Sequence, residues 1–177
     1  MRWHVHGERS IYSREWMNMA LVDVEIPDGA RFEHHVVRMP CAAAGVVVYD
    51  PARGFLLLWR HRFITDTWGW EIPAGRIDPG ETNNVAAERE VLEETGWQPG
   101  PLEPLVAFNP SNGSSDQRFH IFLARGATRV GEPSDPSESE RVEWMAVDAL
   151  RTAIAEGQMP DGLSLTAVLY ALQFAEL

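Results

Sequence analysis

Glu90, Glu93 and Glu94 are the residues here whose type and spacing could do chemistry. They stand at i, i+3 and i+4 within residues 82–95, a stretch with no glycine or proline. At about 100° per residue their side chains fall within an arc of roughly 100°. Ala86 lies inside that arc and is too small to block approach. Like charges at these spacings repel. Two of the three also sit in the last turn, where the helix dipole is itself negative. A hard divalent cation with oxygen ligands removes both conflicts, so the pattern predicts a Mg²⁺ site, with Mn²⁺ as the alternative ion. The plain alternative is a solvated acidic helix face.

The elements that must position these acids are legible around them. Thr82 can cap the start of the helix, and Gly96 stands where a left-handed C-terminal residue belongs. Val85, Val91 and Leu92 lie on the other side of the helix and are expected to face a core. Short apolar runs at 43–49 and 55–59 flank a turn at 50–54 and read as buried strands. Residues 102–108, 119–124 and 141–147 are further strands, with loops at 109–115 and 131–140. A helix is expected after Asp148, as its N-cap, and should stop at Gly157. A last helix from about Ser164 places Leu165, Val168, Leu169 and Leu172 on one face. Residues 19–26 and 32–38, split by Pro27-Asp28-Gly29, read as an N-terminal hairpin.

The segment 75–97 also carries a longer signature. Gly75, five residues, Glu81, seven residues, Arg89-Glu90, an aliphatic residue, any residue, Glu93-Glu94, any residue, Gly96 and a bulky apolar residue match the Nudix box at every defined position. The chain therefore resembles the Nudix hydrolases. The resemblance implies an α/β fold, an α/β/α sandwich with a mixed β-sheet, and hydrolysis of a nucleoside diphosphate linked to another group. It implies Glu90 and Glu94 as main metal ligands, Glu93 as a direct or water-bridged ligand, and a backbone carbonyl at Ala74 or Gly75 as another. Arg89 would orient the glutamates; an ordinary i to i+4 pair with Glu93 uses the same geometry. Glu81 would fix the loop, or simply favour the first helical turn.

The flanks resemble the ADP-ribose pyrophosphatase branch. Glu71-Ile72-Pro73-Ala74-Gly75 leads into the box, and Pro110 follows Trp97 by thirteen residues where about fifteen is usual in that branch. A Q-x-R element frequent in the branch is Arg60-His61-Arg62 here, which leaves the glutamine's role unfilled. Arg62 is the candidate for a phosphate or terminal-ribose contact, against a strand-end surface arginine. Glu71 would accept a substrate hydrogen bond or brace the loop. Trp68 and Trp70 could stack on a base, or belong to the core or a dimer contact. The general base would come from a late loop, with Glu138 first and Glu140 as further ligand or alternative base; a solvated acidic loop is the competing reading. Residues 1–40 would form an N-terminal antiparallel β extension and 41–177 the Nudix domain. In the resembled branch such an extension builds a homodimer, often with a shared active site. The implied activity is Mg²⁺-dependent hydrolysis of a nucleotide sugar, ADP-ribose foremost, to AMP and ribose 5-phosphate. A GDP-sugar or NADH as substrate, or a non-catalytic nucleotide sensor, are the alternatives.

Composition narrows the partners. Among 177 residues, 15 basic side chains, all arginine, stand against 26 acidic ones, a net charge of −11. That disfavours nucleic acid or an anionic membrane as the main partner, though not a small anion at a local cation. The single cysteine, Cys41, excludes an internal disulfide and reads as packing rather than a nucleophile. No apolar run reaches membrane-spanning length and no secretory leader is visible, so a reducing cytoplasm is the expected compartment. His34-His35, His4 and His6 are poor ligand candidates, because neighbouring strand residues face opposite ways.

Overall fold

The apolar runs form the middle of a mixed sheet. In the computed structural model, which describes residues 1–134 and 139–177, the chain divides into two units, Met1–Ala42 with Asn109–Arg118, and Ala43–Phe108 with Phe119–Leu177.

In the first unit β1 (His4–Ser13), β2 (Asn18–Glu25) and β3 (Arg31–Arg38) make an antiparallel sheet in the order β1-β2-β3. The expected hairpin is present as β2 and β3. β1 is an additional strand, and it is exposed along its whole length. Ala20, Val22 and Val24 of β2 are buried, one face of the strand's two-residue repeat. The loop after residue 108 joins this unit. The Val37 amide donates to the Ser114 carbonyl at 2.8 Å, and the Met39 amide to Asp116 Oδ1 at 2.8 Å.

The second unit contains β4 (Ala43–Asp50), β5 (Gly54–Arg62), β6 (Thr67–Glu71), β7 (Ala74–Arg76), α1 (Asn83–Thr95), β8 (Trp97–Pro99), β9 (Leu102–Phe108), β10 (Phe119–Arg125), β11 (Ala127–Arg129), β12 (Arg141–Met145), α2 (Val147–Ala155) and α3 (Gly162–Phe174). Its main sheet runs β12-β5-β4-β10-β9, with β6 on β5 and β7 on β4; β8 and β11 pair separately. The β4–β10 pair is parallel and the others antiparallel, so the sheet is mixed. Alternation along β4 feeds two cores. Val46 and Val48 pack with Leu56, Phe122 and the α1 residues Ala86, Ala87 and Val91. Val47 and Tyr49 pack on the other side with Phe55, Leu57, Ile121 and residues of α2 and α3. The result is the expected α/β/α sandwich. No described helix is long and apolar enough to cross a membrane.

Three local expectations change. Val85 and Leu92 are exposed, and the buried face of α1 is Ala86, Ala87, Val91, Glu94 and Thr95. Ala146, not Asp148, is the N-cap of α2; Asp148 lies in the first turn, where its charge still suits the helix dipole. α3 starts at an Asp161 cap and buries Leu163, Ser164, Ala167, Val168 and Ala171, while Leu169 is exposed.

Candidate active site

α1 is held at both ends by its own sequence. Thr82 accepts a hydrogen bond from the Val85 amide, and Gly96 adopts φ 72°, with its amide donating to the Leu92 carbonyl. These caps fix where the glutamates stand relative to the strand-loop that precedes the helix.

Arg89 ties that loop to the helix. Its Nε and Nη2 donate to the two oxygens of Glu81 at 2.9 and 3.0 Å, and Nη2 also donates to the Arg76 carbonyl at 3.0 Å. Nη1 donates to Glu90 at 2.7 Å and Glu93 at 3.0 Å. Arg89 thus pairs with Glu93 at i+4 and with its chain neighbour Glu90 as well. Glu81 also accepts from the Asp78 amide at 3.0 Å, so it braces the loop. The Arg89 hydrogen bonds, with help from that amide, hold the Glu81 carboxyl down at about 2.

Gly75 makes room for Glu90. A Cβ at position 75 would fall within the volume of the Glu90 carboxylate. A side chain there would make the Glu90 carboxylate shift, so the glycine serves close approach rather than a turn. Glu94 lies next to the same loop, its Oε2 accepting from the Ala74 amide at 2.9 Å. It is only 3% exposed, and its Oε1 accepts from Arg60 Nη2 at 2.5 Å. Burial pushes its carboxyl up to about 7, against the opposing pull of Arg60 and the Ala74 amide.

The second half of the site lies on β5 and β6. Arg62 donates from Nε and Nη2 to the two oxygens of Glu71 at 2.9 and 2.5 Å, a bidentate pair. Glu71 is buried, whereas the Arg62 side chain is 51% exposed and can turn to a ligand. The hydrogen bonds to Glu71 raise the Arg62 pKa further, so it stays charged. Two cavities adjoin this pair. One of about 180 Å³ is bordered by Arg62, Glu71, Ala74, Gly75, Asp161 and Ser164. The other, about 350 Å³, is bordered by Arg62, Thr65, Thr67, Glu71 and Asp161.

Trp70 does not belong to this group. The register pairs Trp59 with Trp70 and Leu58 with Glu71, so Trp70 and Glu71 point to opposite faces of the sheet. Trp70 is 5% exposed in the core shared with α2 and α3, and its expected role as a substrate-binding residue is corrected to packing. Trp68 is half-exposed and stacks on Trp59 with centroids 6.2 Å apart, on that same opposite face. Glu140 is exposed just before β12, its amide donating to the Trp59 carbonyl at 2.9 Å. Glu138 lies outside the described residues.

Two residues escape sequence reasoning. Arg60 is buried beside Glu94, yet it reads as one more charged residue at a strand end. Asp161 caps α3 by accepting from the Ser164 amide at 2.8 Å, and it borders both cavities. Its Asp-Gly step before an apolar run is a helix-start signal that could have found it.

The donor set suits a hard divalent cation: three carboxylates from one helix, all oxygen, beside a glycine cradle that leaves the Glu90 carboxylate in the loop. As the side chains stand, Glu90 and Glu93 are turned to Arg89 and Glu94 to Arg60, and among the described residues no three acidic, histidine or cysteine groups already converge on one point.

Known proteins resemble this chain in sequence and in fold. Residues 39–163 match the NUDIX domain. A CMP-5′-(N-acetyl-N-hydroxy-3-aminopropyl)phosphonate hydrolase of Streptomyces rubellomurinus is 40% identical over 158 residues, covering 89% of this chain and 76% of that protein. An ADP-ribose pyrophosphatase of Bacillus subtilis is 31% identical over 174 residues, covering 97% of this chain and 91% of that protein. The crystal structure of an ADP compounds hydrolase superposes with a TM-score of 0.85 at 16% identity, covering 98% of this chain and 94% of that one, a likeness of fold. With the box intact and its loop and helix assembled as described, the chain belongs to the NUDIX family and is a Nudix hydrolase of the ADP-ribose pyrophosphatase-like kind.

Proposed function

We propose that this enzyme hydrolyses the pyrophosphate bond of a nucleoside 5′-diphosphate derivative in a Mg²⁺-dependent reaction, Mn²⁺ substituting. ADP-ribose is the leading substrate, giving AMP and ribose 5-phosphate. One observation carries the reading. Ala74 and Gly75 border the cavity lined by Arg62 and Glu71, and the same two residues lie against the carboxylates of Glu94 and Glu90. Arg62 and the acid cluster thus border one loop, which supports an anion and a cation held side by side there.

Glu90, Glu93, Glu94 and the Ala74 carbonyl would hold the ion. When bound, it supplies neutralisation of the diphosphate charge and acidification of an attacking water. Arg62 donates to a phosphate or terminal-ribose oxygen, exchanging part of its pairing with Glu71 for the ligand. Glu71 in turn accepts from a substrate hydroxyl or keeps Arg62 aimed. Arg89 holds Glu90 and Glu93 in place through the Glu81 brace. The carboxylate of Glu140 or Glu138 takes the proton from water.

The Bacillus subtilis relative supports ADP-ribose over the other nucleotide sugars. A second reading is favoured by the more similar Streptomyces relative, whose named substrate joins CMP to a phosphonate. The shared chemistry is release of a nucleoside 5′-monophosphate from a second phosphorus centre. Product analysis across ADP-ribose, a CMP-phosphonate, GDP-mannose and NADH, with Mg²⁺ and with EDTA, tests both. AMP and ribose 5-phosphate formed only with the ion support the first reading. A CMP-phosphonate cleaved in preference transfers the proposal to the second. No turnover of any compound with Mg²⁺ contradicts both.

We also propose a homodimer built on the N-terminal sheet. Val5, Ile11 and Tyr12 of the fully exposed β1 and Trp16 beside it present apolar surface. Light scattering at micromolar concentration should give twice the 19.9 kDa chain mass; the single-chain mass contradicts it.

A further inference from the structure

Among the described residues, one buried cation is not used by the proposed mechanism. Arg60 is 5% exposed and stands between two buried carboxylates. Its Nη2 donates to Glu94 Oε1 at 2.5 Å. Its Nε lies 3.9 Å from Glu71 Oε2, beyond hydrogen-bond reach, and among the described residues that Nε has no hydrogen-bond partner. A buried N–H left without an acceptor is costly, so this guanidinium is satisfied on one side only.

The partners differ in origin. Glu90 and Glu93 take hydrogen bonds from Arg89 of their own helix, whereas Glu94 takes one from β5, across the core that α1 shares with the sheet. Both Glu94 oxygens are occupied, one by Arg60 and one by the Ala74 amide. A divalent ion needs one of those oxygens. Two cations cannot share a buried carboxylate oxygen without strong mutual repulsion at low dielectric. The amide can stay, because it carries no net charge. Arg60 cannot stay as it is, and its unspent Nε already has a second carboxylate nearby in Glu71.

We infer that Arg60 is a resident counter-cation for Glu94: it holds this carboxylate while no ion is bound, and an ion entering the glutamate cluster must take Glu94 from it. The inference rests on the metal reading given above. Arg60 is thus a positioning residue that acts through Glu94 and makes no contact with substrate. It keeps a lone buried carboxylate from being stranded in the metal-free enzyme, and it sets the affinity of the site below what the three glutamates alone would give. On ion binding it turns toward Glu71, whose Oε2 lies on the Nε side.

The test is direct Mn²⁺ binding at pH 8, read from the electron paramagnetic resonance signal of free Mn²⁺, for the wild type and Arg60→Gln. Glutamine keeps a hydrogen-bond donor beside Glu94 and removes the charge. Loss of a competing buried charge should tighten Mn²⁺ binding about tenfold or more. Unchanged or weaker binding overturns the inference, weaker binding being the result if Arg60 merely aims Glu94 toward the ion. Mn²⁺ bound by neither protein overturns the metal reading itself, and this inference with it. A second measurement needs no variant. In the wild type, the Arg60 Nε–Hε resonance in a ¹⁵N spectrum should shift as Mg²⁺ saturates the protein, because Nε gains its acceptor. A resonance that stays fixed at saturation overturns the exchange even if Arg60→Gln fails to fold.

Discussion

Gly75 and Glu90 occupy one space: the glutamate's carboxylate sits where a side chain on residue 75 would begin. The first glycine of the box is therefore a condition on the glutamate fifteen positions later. Gly75→Ala should displace the Glu90 carboxylate while β7 and α1 stay formed. Mn²⁺ affinity should fall about 10–100-fold, as is usual when the support of a ligand is removed, with the circular dichroism spectrum unchanged. Wild-type affinity in that variant would show that Glu90 works from another position.

Arg89 joins Glu81, Glu90, Glu93 and the Arg76 carbonyl, so its removal releases the loop and the acids together. Arg89→Ala should cost about 1–3 kcal/mol in urea unfolding, the range for losing partly buried hydrogen bonds to charged groups. Arg89→Lys should recover little of it, since an ammonium cannot reproduce the planar fork that spans these partners. Full rescue by lysine would mean that charge alone matters there.

The Glu81 carboxyl titrates near 2 in the folded protein, against an ordinary value of 4.5. A lowered folded-state pKa means that the unfolded chain binds the proton more readily. The stability Glu81 contributes is thus complete above about pH 4.5 and is lost as pH falls toward 2. Urea midpoints measured down that window should fall less steeply for Glu81→Gln than for the wild type. Parallel curves for the two proteins would remove the brace assigned to Glu81.

The sequence makes some of this site easy to read and some of it hard, for physical reasons. The helix and its caps are local features, and Thr82 and Gly96 occur as the spacing predicts. Glu81 and Arg89 meet because their separation is fixed by the same short segment. Val85 and Leu92 mislead because the buried stripe of α1 includes Glu94, so the polar and buried faces of the helix overlap. Arg60 is hidden for the matching reason: its burial depends on a carboxylate thirty-four residues away in sequence. Trp70 fails as a ligand-stacking residue on a parity argument that needs the register, which no single strand provides. β1 has no apolar repeat to reveal it, since every one of its residues is exposed.

The claim on which the account turns is that the acids of α1 grip a divalent ion where Arg62 meets a diphosphate. Mn²⁺ binding to Glu90→Gln, measured beside ADP-ribose turnover by the same sample, tests it most directly. The expected result is an affinity weaker by about 100-fold, turnover lower by at least about 100-fold, and unchanged thermal stability in the absence of the ion. Mn²⁺ affinity and turnover equal to those of the wild type would contradict it.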